Sequence, residues 1–167
     1  GAGSGGGPPK AGSGPISILT KMWKETPESL RSSVTRDRMM QLYVRSETQR
    51  LTNIRAGENR RKGNPGPEMS IAKLAFAELN QDLLTAAVDM MGMAGQVDYD
   101  YTFRRPEDLS VDGSENGVQH GFLRVRANSI EGGTSEIMRN ILGEQVLGLP
   151  GEPRIDKDVP WIEVPRS

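Results

Sequence analysis

From Pro67 to Met91 the apolar residues return every three or four positions: Ile71, Leu74, Ala75, Leu79, Leu83, Ala87, Val88 and Met91. That spacing predicts a long amphipathic helix opened by Pro67-Glu68, and its small residues Ala72, Ala75, Ala77, Ala86 and Ala87 would let another helix approach closely. A second long helix is predicted from Thr26 as N-cap and Pro27 at the first helical position to about Arg60, with an interruption near Ser32-Ser33 as the alternative. Its apolar face would be Met40, Tyr43, Val44, Leu51 and Ile54. Pro15 to Trp23 reads as about two helical turns that dock Ile16, Ile18, Leu19, Met22 and Trp23 on a neighbour. Val118 to Ser129 predicts a third bundle helix with Phe122, Leu123 and Val125 inward. A fourth begins at Thr134/Ser135, carries Ile137, Ile141, Leu142 and Val146, and ends at Leu147-Gly148 before Pro150. Met90, Met91 and Met93 read as core gap-fillers.

With no strand pattern beside these helices, the fold class is all-α, an up-and-down helical bundle. Gly1 to Gly14 is low-complexity and reads as a flexible loop. Because it opens in mid-loop, an upstream part is expected. The predicted organisation is residues 1–26 as loop plus docking segment, 27–148 as the bundle domain and 149–167 as an extended Pro-rich tail that Trp161 and Ile162 pin to a groove. Gln96 to Gly117, with Tyr99, Tyr101 and Phe103, is a connection beyond the ~15 residues at which loops tend to be functional or mobile.

Composition narrows the function. The 167 residues carry a formal net charge of -1, which argues against a nucleic-acid binder working through a global positive field. There is no cysteine, which removes disulfides, thiolate nucleophiles and Cys-ligated metals. No run reaches the ~18 apolar residues of a membrane span, and no secretory leader is visible, so the expected location is cytoplasmic. His120 is the single histidine, so no metal site is expected. No Ser/His/Asp set or phosphate-loop signature is present.

The remaining candidate chemistry lies in Ile130-Glu131-Gly132-Gly133-Thr134-Ser135-Glu136. Two glycines permit a tight turn or close approach to a ligand, Thr134 and Ser135 offer capping oxygens, and Glu136 sits in the first helical turn. Such a helix N-terminus can receive an anionic or carbonyl-bearing ligand, and it can equally be plain capped structure. Arg124 and Arg126 are available nearby for anions.

The string from Arg126 to Asn140, RANSIEGGTSEIMRN, resembles the C-terminal signature of acyl-CoA dehydrogenases, and Gly143 to Pro150 continues the likeness. Met69-Ser70-Ile71-Ala72-Lys73-Leu74 and the turn Gly92-Met93-Ala94-Gly95 resemble the same family in order and spacing. Together these segments cover most of residues 36 to 150. The resemblance implies the family's C-terminal four-helix bundle, with FAD as cofactor and an acyl-CoA as substrate. An electron-transfer flavoprotein would accept the electrons, and the chain would assemble as a homo- or hetero-oligomer, a dimer or tetramer.

It also implies that Gly92 and Met93 touch FAD across a subunit interface, and that Gly133, Thr134, Ser135 and Glu136 form the flavin-contacting segment. Many members carry their catalytic carboxylate immediately before Gly-Thr. Gly132 stands there, Glu131 is one residue off, and no catalytic residue is assigned in this chain. Asp89 replaces a usual glutamine, and Leu30 to Arg36 has no Arg-x-x-Phe-Gly element. The expected function is the C-terminal domain of a dehydrogenase for α,β-dehydrogenation of an acyl-CoA, inactive as an isolated piece. A base-lacking partner subunit of a mixed tetramer and a purely structural helical assembly module are the alternatives.

Overall fold

A helix needs its backbone donors satisfied at both ends and an apolar stripe to bury, and the longest helices here meet both conditions. The computed structural model describes residues 8–64, 66–97, 117–151 and 159–164, and among them every regular element is helical. Helix α1 is Ile16–Glu25, α2 is Ser33–Arg61, α3 is Glu68–Met91, α4 is Gly117–Arg124 and α5 is Ser135–Ile141.

Helix α3 is the hub. It contains no Gly or Pro, is rich in strong helix formers, and stops where Gly92 takes a φ of +58° that a side chain would resist. Helix α2 runs antiparallel beside it, as successive pairings show: Arg38 with Asp89 at 2.6 Å, Arg45 with Asp82 at 2.6 Å, and Asn59 donating to Glu68 at 2.8 Å. Asp89, the departure from the family's usual glutamine, is thus used to hold α2. The chain returns through α4 and a 3-10 turn, Val125–Ser129, antiparallel to α3, and α5 reverses once more. Gln119 Nε2 donates to Ala94 O and Val97 O near one end of α3, and Arg139 pairs with Glu78 at 2.5 Å toward the other. This is the predicted all-helical, up-and-down arrangement. Helix α1 adds Ile16 and Leu19 to a core with Met39, Leu42, Leu79, Leu83, Leu84, Ala86, Ala87 and Val125. Each such Leu or Ile contributes about 1.5–3 kcal/mol through burial.

Several local expectations are corrected. Thr26 closes α1, its hydroxyl donating back to Met22 O at 2.8 Å, and Pro27 leads into a 3-10 turn, Glu28–Leu30. The long helix starts at Ser33, because Ser32 Oγ accepts from Thr35 N–H at 3.0 Å. On α2 the inward residues are Met39 and Leu42, while Met40, Val44 and Leu51 are exposed. Leu123, Ile137 and Val146 are exposed too, since no further described helix covers α4 and α5 on that side, and Met93 is exposed beyond the end of α3. Ile71, at the outer edge of the α3 stripe, is also exposed. The third predicted helix tightens into its 3-10 turn after Arg124, and the fourth widens after Ile141 into a π-type turn, Leu142–Val146. That turn is closed by Leu149 N–H on Gly143 O, with Gly148 at a φ of +67°.

The N-terminal loop is not free where it is described. Glu47 accepts from Gly12 N–H at 2.8 Å, and Arg50 donates to Pro9 O at 3.1 Å, so a neighbouring ion pair on α2 captures the loop backbone. In the tail, Trp161–Glu163 forms a 3-10 turn and Ile162 is exposed. The Trp161 side chain, Tyr99, Tyr101 and Phe103 lie outside the described residues.

Candidate functional site

The Gly-Gly turn is local chemistry first. Gly132 and Gly133 adopt φ values of +65° and +100°, which reverse the chain between the 3-10 turn and α5. Thr134 then caps α5, its Oγ1 accepting from Ile137 N–H at 3.3 Å. The Thr134 hydroxyl proton is therefore left for another acceptor. Ser135 is buried and Glu136 is exposed, 3.5 Å from Arg139.

From Gly132 to Glu136, no backbone N–H has an acceptor among the described residues. Free backbone donors at a turn can meet carbonyl or phosphate oxygens. An added Cβ at Gly132 would meet nothing nearer than Lys73 Cε at 3.9 Å, so the backbone there is open to approach. At Gly133 it would stand 2.7 Å from Met138 Cε. Helix α5 has only 7 residues, so its aligned peptides add little to anion binding and the donor row of the turn carries the capacity.

Glu131 is engaged, which bears on its fitness as a base. Arg124 Nη2 donates to both its oxygens, at 2.9 and 3.3 Å, and Asn128 Nδ2 donates at 2.7 Å. The Arg124 hydrogen bond first, and that of Asn128 second, hold its carboxyl below the ordinary 4.5. An ionised carboxylate with its lone pairs in use is a poor proton acceptor. Arg124 is thereby engaged through Nη2, while its buried Nη1 has no partner among the described residues. Arg126 stacks over the Phe122 ring at 4.4 Å and reaches Thr85 Oγ1 at 3.2 Å. Nor do the described residues gather three metal-ligating side chains anywhere.

The candidate residues fall into two groups. Glu131, Gly132, Gly133, Thr134, Ser135 and Glu136 lie together beside Lys73, near the start of α3. Gly92 and Met93 lie beyond its other end, about 28 Å away along the helix axis at 1.5 Å per residue. One copy of the chain cannot bring both groups to the same small group of atoms. The sequence reading missed Lys73, whose ammonium donates to Asn128 O at 3.1 Å and to Gly133 O. The available signal was a single cation inside an apolar run, Ile71-Ala72-Lys73-Leu74-Ala75-Phe76-Ala77.

Comparison with known proteins places the domain and its fold. The family model for the acyl-CoA dehydrogenase C-terminal domain matches residues 27–147. The acyl-CoA dehydrogenase IpdE1 of Mycolicibacterium smegmatis is 37% identical over 89 residues, 53% of this chain and 19% of that protein. IpdE1 of Mycobacterium tuberculosis is 29% identical over 119 residues, covering 71% and 28% respectively. The chain therefore spans less than a third of the length of these curated relatives. Among solved structures, the Tcur3481-Tcur3483 steroid ACAD shares the fold at 20% identity and a TM-score of 0.64, over 82% of this chain and 34% of that one. A single-substitution variant of it matches equally well, with a TM-score of 0.63. With its helical order, its glycine turn and a family match over most of its length, the chain belongs to the acyl-CoA dehydrogenase family, as the C-terminal domain.

Proposed function

We propose that this chain supplies one wall of the FAD site in an acyl-CoA dehydrogenase that oxidises the α,β bond of an acyl-CoA thioester. The observation that carries the reading is the row of five unpaired backbone donors from Gly132 to Glu136, inside the region that matches the family. That donor set suits the carbonyl and phosphate oxygens of a flavin dinucleotide, and the open face at Gly132 admits a planar group. When bound, the flavin supplies the two-electron acceptor for the hydride of the substrate, which an electron-transfer flavoprotein would then relieve. The chain's own part is to bind and orient. Its N–H groups and the Thr134 hydroxyl donate, Ser135 packs the helix start, and Glu136 lies at the rim.

The roughly 28 Å between Gly133 and Gly92 suggests that Gly92 and Met93 serve the cofactor of another copy, which makes assembly part of the function. In the complete protein, Gly92→Asp is expected to lower flavin retention together with assembly. Retention of a full complement of flavin by an assembled Gly92→Asp protein would count against this role. The isolated chain, lacking the other walls, is expected to hold no FAD through gel filtration.

A second reading is favoured by one observation: Gly132 stands at the family's usual base position, while Glu131 is tied to Arg124 and Asn128. Under it, the chain belongs to a base-lacking subunit paired with a catalytic one. Co-purification with a second dehydrogenase chain supports it, and full activity of the complete protein alone refutes it.

A further inference from the structure

We propose that Lys73 is a positioning residue for the Gly132–Glu136 donor row, acting from α3 through two backbone carbonyls. Its functional consequence rests on the FAD reading above, and its geometry does not. Lys73 Nζ donates to Asn128 O at 3.1 Å and to Gly133 O, so one ammonium ties both flanks of the Ile130–Gly132 reversal to α3.

The direction of these bonds matters. In a trans peptide the C=O and the N–H point oppositely across the plane. With Gly133 C=O aimed at Lys73, the N–H of the same peptide, that of Thr134, is aimed away from α3 and outward. The lysine therefore sets the direction of the Thr134 N–H, at the middle of the donor row. Two adjacent glycines otherwise give the chain its greatest conformational freedom at this point, so the orientation would be among the least fixed in the molecule.

The choice of lysine is also informative. Its neighbours Ile71, Ala72, Leu74, Ala75, Phe76 and Ala77 are all apolar, and its Cε lies 3.9 Å from where a Gly132 Cβ would stand. A half-buried ammonium in that setting is costly unless its donors are used, and two of the three are. A charged donor also makes stronger hydrogen bonds than a neutral amide would, which suits a clamp on a flexible turn.

The test compares Lys73→Met with the unmutated chain and with Lys21→Met, which removes an exposed lysine of α1. Amide exchange at the hydrogen-bonded Ile130, Glu131 and Ile137 of the turn is expected to quicken about tenfold in Lys73→Met alone, as loss of charged hydrogen bonds implies. Exchange across residues 79–87 of the core should stay unchanged. Unaltered exchange of the turn overturns the proposal. Should Lys73→Met fail to fold, the unmutated chain carries the test. Its Lys73 ammonium protons are expected to be visible by nitrogen-edited NMR at neutral pH while those of Lys21 are lost to water, and their absence overturns the proposal. In the complete protein, Lys73→Met should weaken FAD binding about tenfold and shift the visible flavin band, a change mere loss of stability would not produce. A loosened turn with unaltered FAD binding would contradict the FAD reading and leave the clamp standing. An unaltered turn contradicts the clamp whatever the FAD result.

Discussion

Glu131 is the residue at which a tempting chemistry and the observed geometry part. It flanks the glycines, yet its carboxylate accepts from Arg124 and Asn128 and is held ionised by them. In the complete protein, Glu131→Gln should leave kcat within about threefold and leave the acid limb of its pH profile in place, whereas loss of a true general base removes roughly 10²–10⁴-fold. A loss of that larger size would reinstate Glu131 as the base. The pH dependence of stability follows from the same contacts. Folding lowers the Glu131 pKa, so its contribution is present above the ordinary 4.5 and is lost as pH falls through the lower folded value. Glu131→Gln should flatten the fall in Tm between neutral and acidic pH by about 2 °C, a small effect because the Glu131 side chain is half-exposed. At the glycines, Gly133→Ala should destabilise more than Gly132→Ala, because its φ of +100° is the more strained and its Cβ would displace Met138. Thermal melts of the two variants check the order. The glycine turn and the Thr134 cap were legible in the sequence because their chemistry is local. Lys73 was not, because its partner Gly133 lies 60 residues away and only the packing of α3 under the turn brings them together.

At the scale of elements, α2 shows why helix existence is easier to read than helix orientation. Its sequence carries two apolar stripes: Met39 and Leu42 face the core, and Met40, Val44 and Leu51 face outward. Periodicity identifies a helix from either stripe and does not say which one the domain itself buries. The start was similarly ambiguous, since Thr26-Pro27 and Ser32-Ser33 are both sound helix openings, and the hydroxyl of Ser32 decides it. Ser32→Ala should therefore cost about 1 kcal/mol in chemical denaturation, while Thr26→Ala should act on α1 instead. Leu83, 2% exposed in the centre of α3, stands at the core position that its spacing predicts. Leu83→Ala should cost about 2–5 kcal/mol in the same measurement.

Among the described residues, many large apolar side chains lie outside the core. The outward stripe of α2 is the plainest instance, with Val44 60% exposed. Together with the separation of Gly92 from the Gly132–Gly133 turn along α3, it supports the proposal that copies assemble through helix faces and share cofactor sites. Val44→Glu should shift sedimentation at micromolar concentration toward the monomer without loss of helical circular dichroism. An unchanged oligomer would place the interface elsewhere. The all-helical class was legible at this scale because every long segment had helical spacing. The placement of the two candidate segments at opposite ends of one helix was not, because it depends on which helices neighbour α3.

The central claim is that the turn from Gly132 to Glu136 holds FAD. Its most direct test is the flavin content of the complete protein after gel filtration, measured by visible absorbance beside a variant in which Thr134→Val and Gly133→Ala disable the turn. The account predicts about one flavin per chain in the unmutated protein and a loss of most of it in the variant, with helical content retained. A complete protein free of flavin, or a variant that keeps its full complement, would contradict it.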